Sequence, residues 1–440
     1  MIYWRIYFRS FVSGSNRTLC HSLAENICVM SLPGSLIKAV YSAHHYTIVK
    51  VWLMKNSIYL VLLLLFPFLL NAQSNPKKLD TENKVSIRQI LNESITAEEL
   101  SAQLHFIASD FFQGRKAGTS AERAVAHYLA SYYKGHGIPP LNGSVTSNLD
   151  AYFQPFEISI PNNNGKSQNV LAFIEGTQLK DEVVILVAHY DHLGADASLA
   201  GDSVFNGAAD DASGTVALME LAEAFLDAKE QGLSTNRSIL FLHAGAEEIG
   251  VLGSNFFVRN SPVPLEKIVA VVNLDGVGGS DKPGADNASN YVYLLHNDST
   301  SQPLAELTKH LNSSYEIGLD ILNPHNPERY NSDHKPFEYE LIPFIYFSSG
   351  LTEYYHKVSD EAETIDYDHM TKIVKLIFAS SWHLSNDQIE QGRILRSQFK
   401  KTGAYYCVPC GCASDSKEFT SDGSCPDCHM VLQPKWVKSD

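Results

Sequence analysis

Residues 183–194 read Val183-Val184-Ile185-Leu186-Val187-Ala188-His189-Tyr190-Asp191-His192-Leu193-Gly194. The apolar run is too short for an amphipathic helix and rich in β-branched residues, so it predicts a buried strand ending at His189. His189 and Asp191 are two positions apart, and continued extended geometry would direct both side chains to one side. A histidine beside a carboxylate suits a metal ligand with a partner that orients it, but an isolated His-x-Asp is more often a hydrogen-bonded loop histidine. The flanking segments decide between these readings.

Upstream, Thr96-Ala97-Glu98-Glu99 and Thr119-Ser120-Ala121-Glu122 are capping boxes that open two helices. In the second, Ala124, Val125, Tyr128, Leu129 and Tyr132 make an apolar stripe, and Gly135, Gly137 and Pro139-Pro140 stop it. Strands are predicted over 152–160 and 169–174. Downstream, Ala208-Ala209-Asp210-Asp211-Ala212-Ser213-Gly214 leads into a helix over 215–229, with Leu218, Met219, Ala222, Phe225 and Leu226 on its apolar side and Glu220 and Glu223 facing away. Strands over 238–243, 268–274, 291–295 and 342–347 then alternate with helices over 253–258, 302–311 and 368–382. This alternation predicts an α/β domain with a mostly parallel central sheet flanked by helices.

The chain has 440 residues and a formal net charge of −15, which argues against a nucleic-acid surface. Residues 1–53 show no sustained periodicity and read as an upstream translation artefact or tail. Met54-Lys55, the apolar residues 58–70 and Asn71-Ala72-Gln73 form an export signal over 54–72, so the mature protein is expected to be periplasmic or secreted. The apolar run is shorter than the roughly 20 residues that span a bilayer, so no stable membrane span is expected after cleavage. A polar linker (73–87) would precede the main domain (88–385). Cys20 and Cys28 lie near the start and the other five cysteines between Cys407 and Cys428, so no disulfide can staple that domain.

Ligands of such sheets gather outside the carboxyl ends of the strands. His189, Glu247-Glu248, Asp275 and His356 each follow a predicted strand, and Asp210 precedes a helix. Singly, these residues have ordinary explanations as caps, helix-end charges or turns. Together, two imidazoles and three carboxylates without thiolates suit zinc, with manganese or cobalt as substitutes. They are too many for one catalytic zinc with an open position, and fit two metals about 3.5–4 Å apart that share a carboxylate.

The motifs His189-Tyr190-Asp191, Gly207-Ala208-Ala209-Asp210-Asp211-Ala212-Ser213-Gly214, Glu247-Glu248 with Gly253-Ser254, Asn273-Leu274-Asp275, Ser332-Asp333-His334 and Tyr355-His356 occur in the order found in a known family. Over about 95–384, including the segment from Gln113 to Thr119, the chain resembles the secreted dinuclear-zinc aminopeptidases, relatives of glutamate carboxypeptidases, transferrin receptors and glutaminyl cyclases. The resemblance implies a zinc exopeptidase fold, peptide substrates and two Zn2+. It puts His189 and Asp275 on one zinc, Glu248 and His356 on the other, and Asp210 on both. It makes Glu247 the general base, Asp191 the partner of His189, and Tyr355 a stabiliser of the tetrahedral intermediate. Many members have Asp-Asp-Asn where this chain has Ala209-Asp210-Asp211, so Asp211 stays a rival to Asp210. A glutaminyl cyclase-like acyltransferase and a noncatalytic metal-handling protein are the alternatives.

After a linker (386–403), a Cys-rich ribbon is expected over 404–435. Cys407-Val408-Pro409-Cys410-Gly411-Cys412 and Cys425-Pro426-Asp427-Cys428-His429 carry two Cys-x-x-Cys pairs, a zinc-ribbon spacing. The segment resembles a short heavy-metal-binding domain that bacteria attach to transporters and exported proteins, with Cys407, Cys410, Cys412, Cys425, Cys428 and His429 as candidate ligands of a further zinc or other heavy metal. Disulfide pairing is the alternative in an oxidising compartment.

Overall fold

The computed structural model describes residues 86–160, 163–282, 290–387, 396–408 and 411–439. The expected artefact, export signal and nearly all of the first linker therefore lie outside the described residues. Among the described residues, no helix is long and apolar enough to cross a membrane.

The strands are β1 (Phe153–Ile160), β2 (Asn163–Ile174), β3 (Leu179–His189), β4 (Gly194–Ala195), β5 (Val204–Phe205), β6 (Arg237–Ala244), β7 (Ile268–Leu274), β8 (Tyr291–His296), β9 (Asp320–Leu322) and β10 (Phe344–Ser348). Eight form one sheet in the order β1-β2-β6-β3-β7-β10-β8-β9, while β4 and β5 pair separately. The central neighbours β6, β3, β7 and β10 run parallel to one another, β1–β2, β2–β6 and β8–β10 pair antiparallel, and the edge strand β9 lies parallel to β8. The mostly parallel centre agrees with the α/β expectation.

Strand β3 shows why the sheet is buried on both faces. Its residues alternate between two cores: Val184, Leu186 and Ala188 pack on one side, Val183, Ile185 and Val187 on the other. The first side is covered by helices α1 (Ala97–Ile107), α2 (Ser120–Gly135), α3 (Ser213–Glu230), α5 (Gln302–Ser314) and α7 (Tyr367–Asn386). The second includes the short α4 (Leu252–Arg259) and α6 (Lys335–Tyr339).

Two helix faces differ from the sequence reading. On α2 the buried residues are Glu122, Val125, Ala126, Leu129, Ala130 and Tyr133, whereas Ala124 is exposed and Tyr128 and Tyr132 only half-buried. Glu122 joins this inner face because its carboxylate accepts hydrogen bonds from the Gly118 amide at 2.7 Å and from the Ser167 hydroxyl. On α3, Glu220 faces inward, 2% exposed, where it accepts from the Thr96 amide at 3.3 Å. The N-terminus of α1 packs there, and burial beside Glu99 pushes Glu220 up to about 9. Glu223 is half-buried and bonded to the Tyr132 hydroxyl.

A second sheet, β11 (Phe399–Tyr406), β12 (Glu418–Phe419) and β13 (Gln433–Lys438), is wholly antiparallel. Its first strand begins inside the stretch read as linker. It rests on α4 and α6 through polar contacts. Arg259 donates to Leu432 O at 2.8 Å, Trp436 Nε1 to Tyr339 O at 2.8 Å, and Lys401 Nζ to Glu340 Oε1 at 2.8 Å.

Burial raises the Glu122 carboxyl to about 7 against the opposing pull of Ser167 and Gly118. Its folded pKa exceeds its unfolded value, so stability is full below about pH 4.5 and falls as pH rises to about 7. Glu122→Gln keeps the shape and removes the titration. Urea denaturation is expected to show the variant gaining on the wild type by up to about 3 kcal/mol between these limits and levelling above them. A pH-independent difference would contradict the buried-acid account.

Candidate metal centre

Because β6, β3, β7 and β10 are adjacent and parallel, the loops that leave them emerge at one edge of the sheet. His189 ends β3, and the Thr215 hydroxyl holds its carbonyl at 2.7 Å. His189 Nε2 lies 3.2 Å from Asp210 Oδ1 and 3.9 Å from Asp275 Oδ1. The other oxygen of Asp210 is 3.1 Å from His356 Nε2, which is 3.2 Å from Glu248 Oε2. Asp210 thus stands between two groups of donors, and all five residues that the resemblance made ligands converge.

Several residues that the sequence reading did not single out hold Asp210 in place. Asp360 accepts from the amides of Ala209 at 2.9 Å and Asp210 at 3.2 Å. The Arg115 guanidinium is fully buried and donates to four carbonyls: Tyr190 O at 2.9 Å, Ile107 O at 3.2 Å, Asn206 O at 2.6 Å and Gly207 O at 3.0 Å. Three of them, at residues 190, 206 and 207, flank the His189 and Asp210 segments, and the fourth ends α1. Asp211 turns away from the histidines, accepting from the amides of Gly214 at 2.9 Å and Gly276 at 3.1 Å. A Cβ at Gly214 would lie 2.5 Å from both the Asp211 carboxylate and Leu274 O, so only glycine lets α3 start this close to β7.

Asp191 departs from expectation. Its carboxylate is 3.8 Å from His189 Nδ1, outside hydrogen-bond range, and the nearer group is its own carbonyl at 3.2 Å. The carboxylate instead accepts from the amides of Glu247 at 2.9 Å and Glu248 at 3.4 Å. The turn after β6 folds back over the end of β3 and offers these amides first. Tyr355 stacks on His356 with ring centroids 3.8 Å apart. Burial and the surrounding carboxylates raise its phenol, which stays protonated. His334 is packed against Phe344 and Tyr346, apart from the cluster. His192, the other histidine of the opening motif, reaches the cluster with Nδ1 2.6 Å from Glu248 Oε1. Its place in His-Tyr-Asp-His was the one available signal.

The donor set fits divalent zinc. Asp191, Asp210, Asp211, Glu247, Glu248, Asp275 and Asp333 crowd one interior region with Arg115 as the fixed cation. Among the described residues, Asp210 Oδ2, Glu248 Oε1, His356 Nε2 and both nitrogens of His192 are buried without a hydrogen bond. Burial raises Glu247 well above the ordinary carboxylate range against the pull of His189, with Asp333, Asp275 and Glu248 adding repulsion. Burial likewise works against His356, yet Asp210 and Glu248 push it up to about 10. One ligand atom from each of His189, Asp210 and Asp275 falls within 4.8 Å of the others, and the same holds for His192, Asp210 and Glu248.

In the tail, Cys407, Cys412, Cys425 and Cys428 form a third such group. Cys407 Sγ is 3.4 Å from Cys428 Sγ and 3.8 Å from Cys412 Sγ, which is 3.8 Å from Cys425 Sγ. These gaps are far beyond a disulfide bond of about 2.05 Å. Cys410 lies outside the described residues. His429 does not join the group, because a left-handed backbone turn leaves its side chain exposed.

The model of peptidase family M28 matches residues 169–390. A probable zinc metalloprotease of Pyrenophora teres f. teres is 23% identical over 352 residues, covering 70% of each chain. The LapA aminopeptidase of Legionella pneumophila superposes with a TM-score of 0.53 at 22% identity, over 69% of this chain and 74% of that one. The Fimbriiglobus ruber glutaminyl cyclase gives 0.52 at 15% identity, over 67% and 96%. At these identities the two structural likenesses establish a shared fold.

Asp360→Asn would set an amide group against the Ala209 and Asp210 amides. A loss of about 1–3 kcal/mol is expected in urea denaturation of the metal-free protein. Unchanged stability would show that this carboxylate does not hold the loop.

Proposed function

The chain belongs to peptidase family M28, and from that premise we propose that it is an exported aminopeptidase that works with two zinc ions. The observation that carries the reading is Asp210, whose two carboxylate oxygens face His189 on one side and His356 on the other. His189 and Asp275 would hold one zinc, Glu248 and His356 the other, and Asp210 both. When bound, the ions supply Lewis-acid activation of a water and of the scissile carbonyl.

The chain's own residues do the rest. Glu247 takes a proton from the attacking water at its carboxylate and delivers it to the leaving amine as the C–N bond breaks. Asp191 fixes the approach of Glu247 through the Glu247 amide and steadies Glu248 through the next one. The Tyr355 phenol, kept protonated among carboxylates, donates to the oxygen on which negative charge develops. Retention of every candidate ligand disfavours a noncatalytic role. The fold shared with a glutaminyl cyclase keeps N-terminal cyclisation as the second reading. In the tail, Cys407, Cys412, Cys425 and Cys428 would bind a further zinc or other thiophilic metal through a four-thiolate set.

Glu247→Gln is expected to leave metal content near normal while kcat falls by about 10²- to 10⁴-fold; near-wild-type turnover would remove the proton-transfer role. Assays of protein starting at Gln73 on aminoacyl amides, N-blocked peptides and N-terminal glutaminyl peptides, with and without chelator, test the activity itself. Cleavage confined to free amino termini and abolished by the chelator is expected. Ring closure of glutaminyl peptides without hydrolysis would select the cyclase instead.

A further inference from the structure

Resting on the two-metal reading, we propose that His192 is a third imidazole ligand of the centre, bound through Nδ1 to the metal held by Asp210, Glu248 and His356. His192 is 1% exposed and its Nδ1 lies 2.6 Å from Glu248 Oε1. Without a metal these two atoms pair with each other, and His192 Nε2 has no hydrogen-bond partner. One nitrogen of this buried ring is therefore unpartnered, and the other meets a carboxylate that would itself be a metal ligand. The facing atoms of His192, Asp210, Glu248 and His356 all border one place, where one ligand atom from each of His192, Asp210 and Glu248 lies within 4.8 Å of the others, and one shared cation would satisfy them together.

The two imidazoles reach that place from different directions. Their ring centroids are 5.8 Å apart and the planes meet at 67°, an arrangement for surrounding an ion rather than for stacking. His192 is also the more firmly held. Its amide donates to Arg115 O at 3.3 Å. Gly207, with φ 53°, presses so close that a Cβ there would lie 2.5 Å from the ring. Arg115 fixes Gly207 from the far side through its carbonyl. His356, by contrast, lies in a loop with its side chain 36% exposed. His192 would therefore hold the second metal as a rigid histidine, and His356 as a more open one.

The test uses the full chain loaded with Co2+, in which each coordinated imidazole contributes one exchangeable, paramagnetically shifted N–H proton resonance, while thiolate ligands of the tail contribute none. The wild type is expected to show signals for His189, His192 and His356. His192→Ala and the bulkier His192→Gln should each lose one signal and bind the second Co2+ equivalent at least about 10-fold more weakly. His356→Ala is the positive control for losing a signal. An unchanged signal count in both His192 variants, whatever the affinity, overturns the proposal and leaves His192 a hydrogen-bonding neighbour of Glu248. Absence of shifted imidazole signals from the wild type would overturn the two-metal reading itself, so the two failures are distinguishable.

Discussion

Electrostatic self-repulsion is the constraint on which this architecture depends. Asp210, Asp211, Glu247, Glu248 and Asp275 are brought together in a water-poor interior, where like charges repel far more strongly than at a surface. Such a cluster is unfavourable by itself and becomes favourable with divalent cations. The surrounding structure is built to withstand it. Asp191, Asp211 and Asp360 take their hydrogen bonds from backbone amides, which leaves the oxygens and nitrogens of Asp210, Glu248, His192 and His356 aimed inward. The sheet contributes by making four parallel strands end side by side, so residues 189, 247, 275 and 356 need no long loops to meet.

Much of this was legible in the sequence because it is encoded locally. The run 183–188 can only be a buried strand, and the same pattern recurs at 268–274 with matching bounds. What escaped was decided by partners distant in the chain. Glu220 looks outward on a helical wheel, but α1 packs over it. The α2 stripe was placed about a residue out of phase, because Glu122 is drawn inward by Ser167, 45 positions away. Asp191 was assigned to its near neighbour His189, although the amides of residues 247 and 248 reach its carboxylate first. Arg115 and Asp360 carry no motif that names their partners. His192 lay in plain view, yet nothing local separated it from an ordinary loop residue.

The tail sheet follows a different logic. Its small core buries the apolar residues Cys407, Cys425 and Leu432 along with Ser414 and Gln433, and polar bonds tie it to α4 and α6. A module this small gains little from apolar burial alone.

Arg115 has one further consequence. Among the described residues, its donations go to main-chain carbonyls, at residues 107, 190, 206 and 207. The clamp is therefore blind to side-chain identity at these positions. Any residue whose backbone follows the same path presents the same oxygen to the clamp, so limits on the side chains there come from other contacts, as at Gly207, where a Cβ would lie 2.5 Å from the His192 ring. Arg115 itself has no substitute, because no other side chain offers a rigid planar fork of five donors.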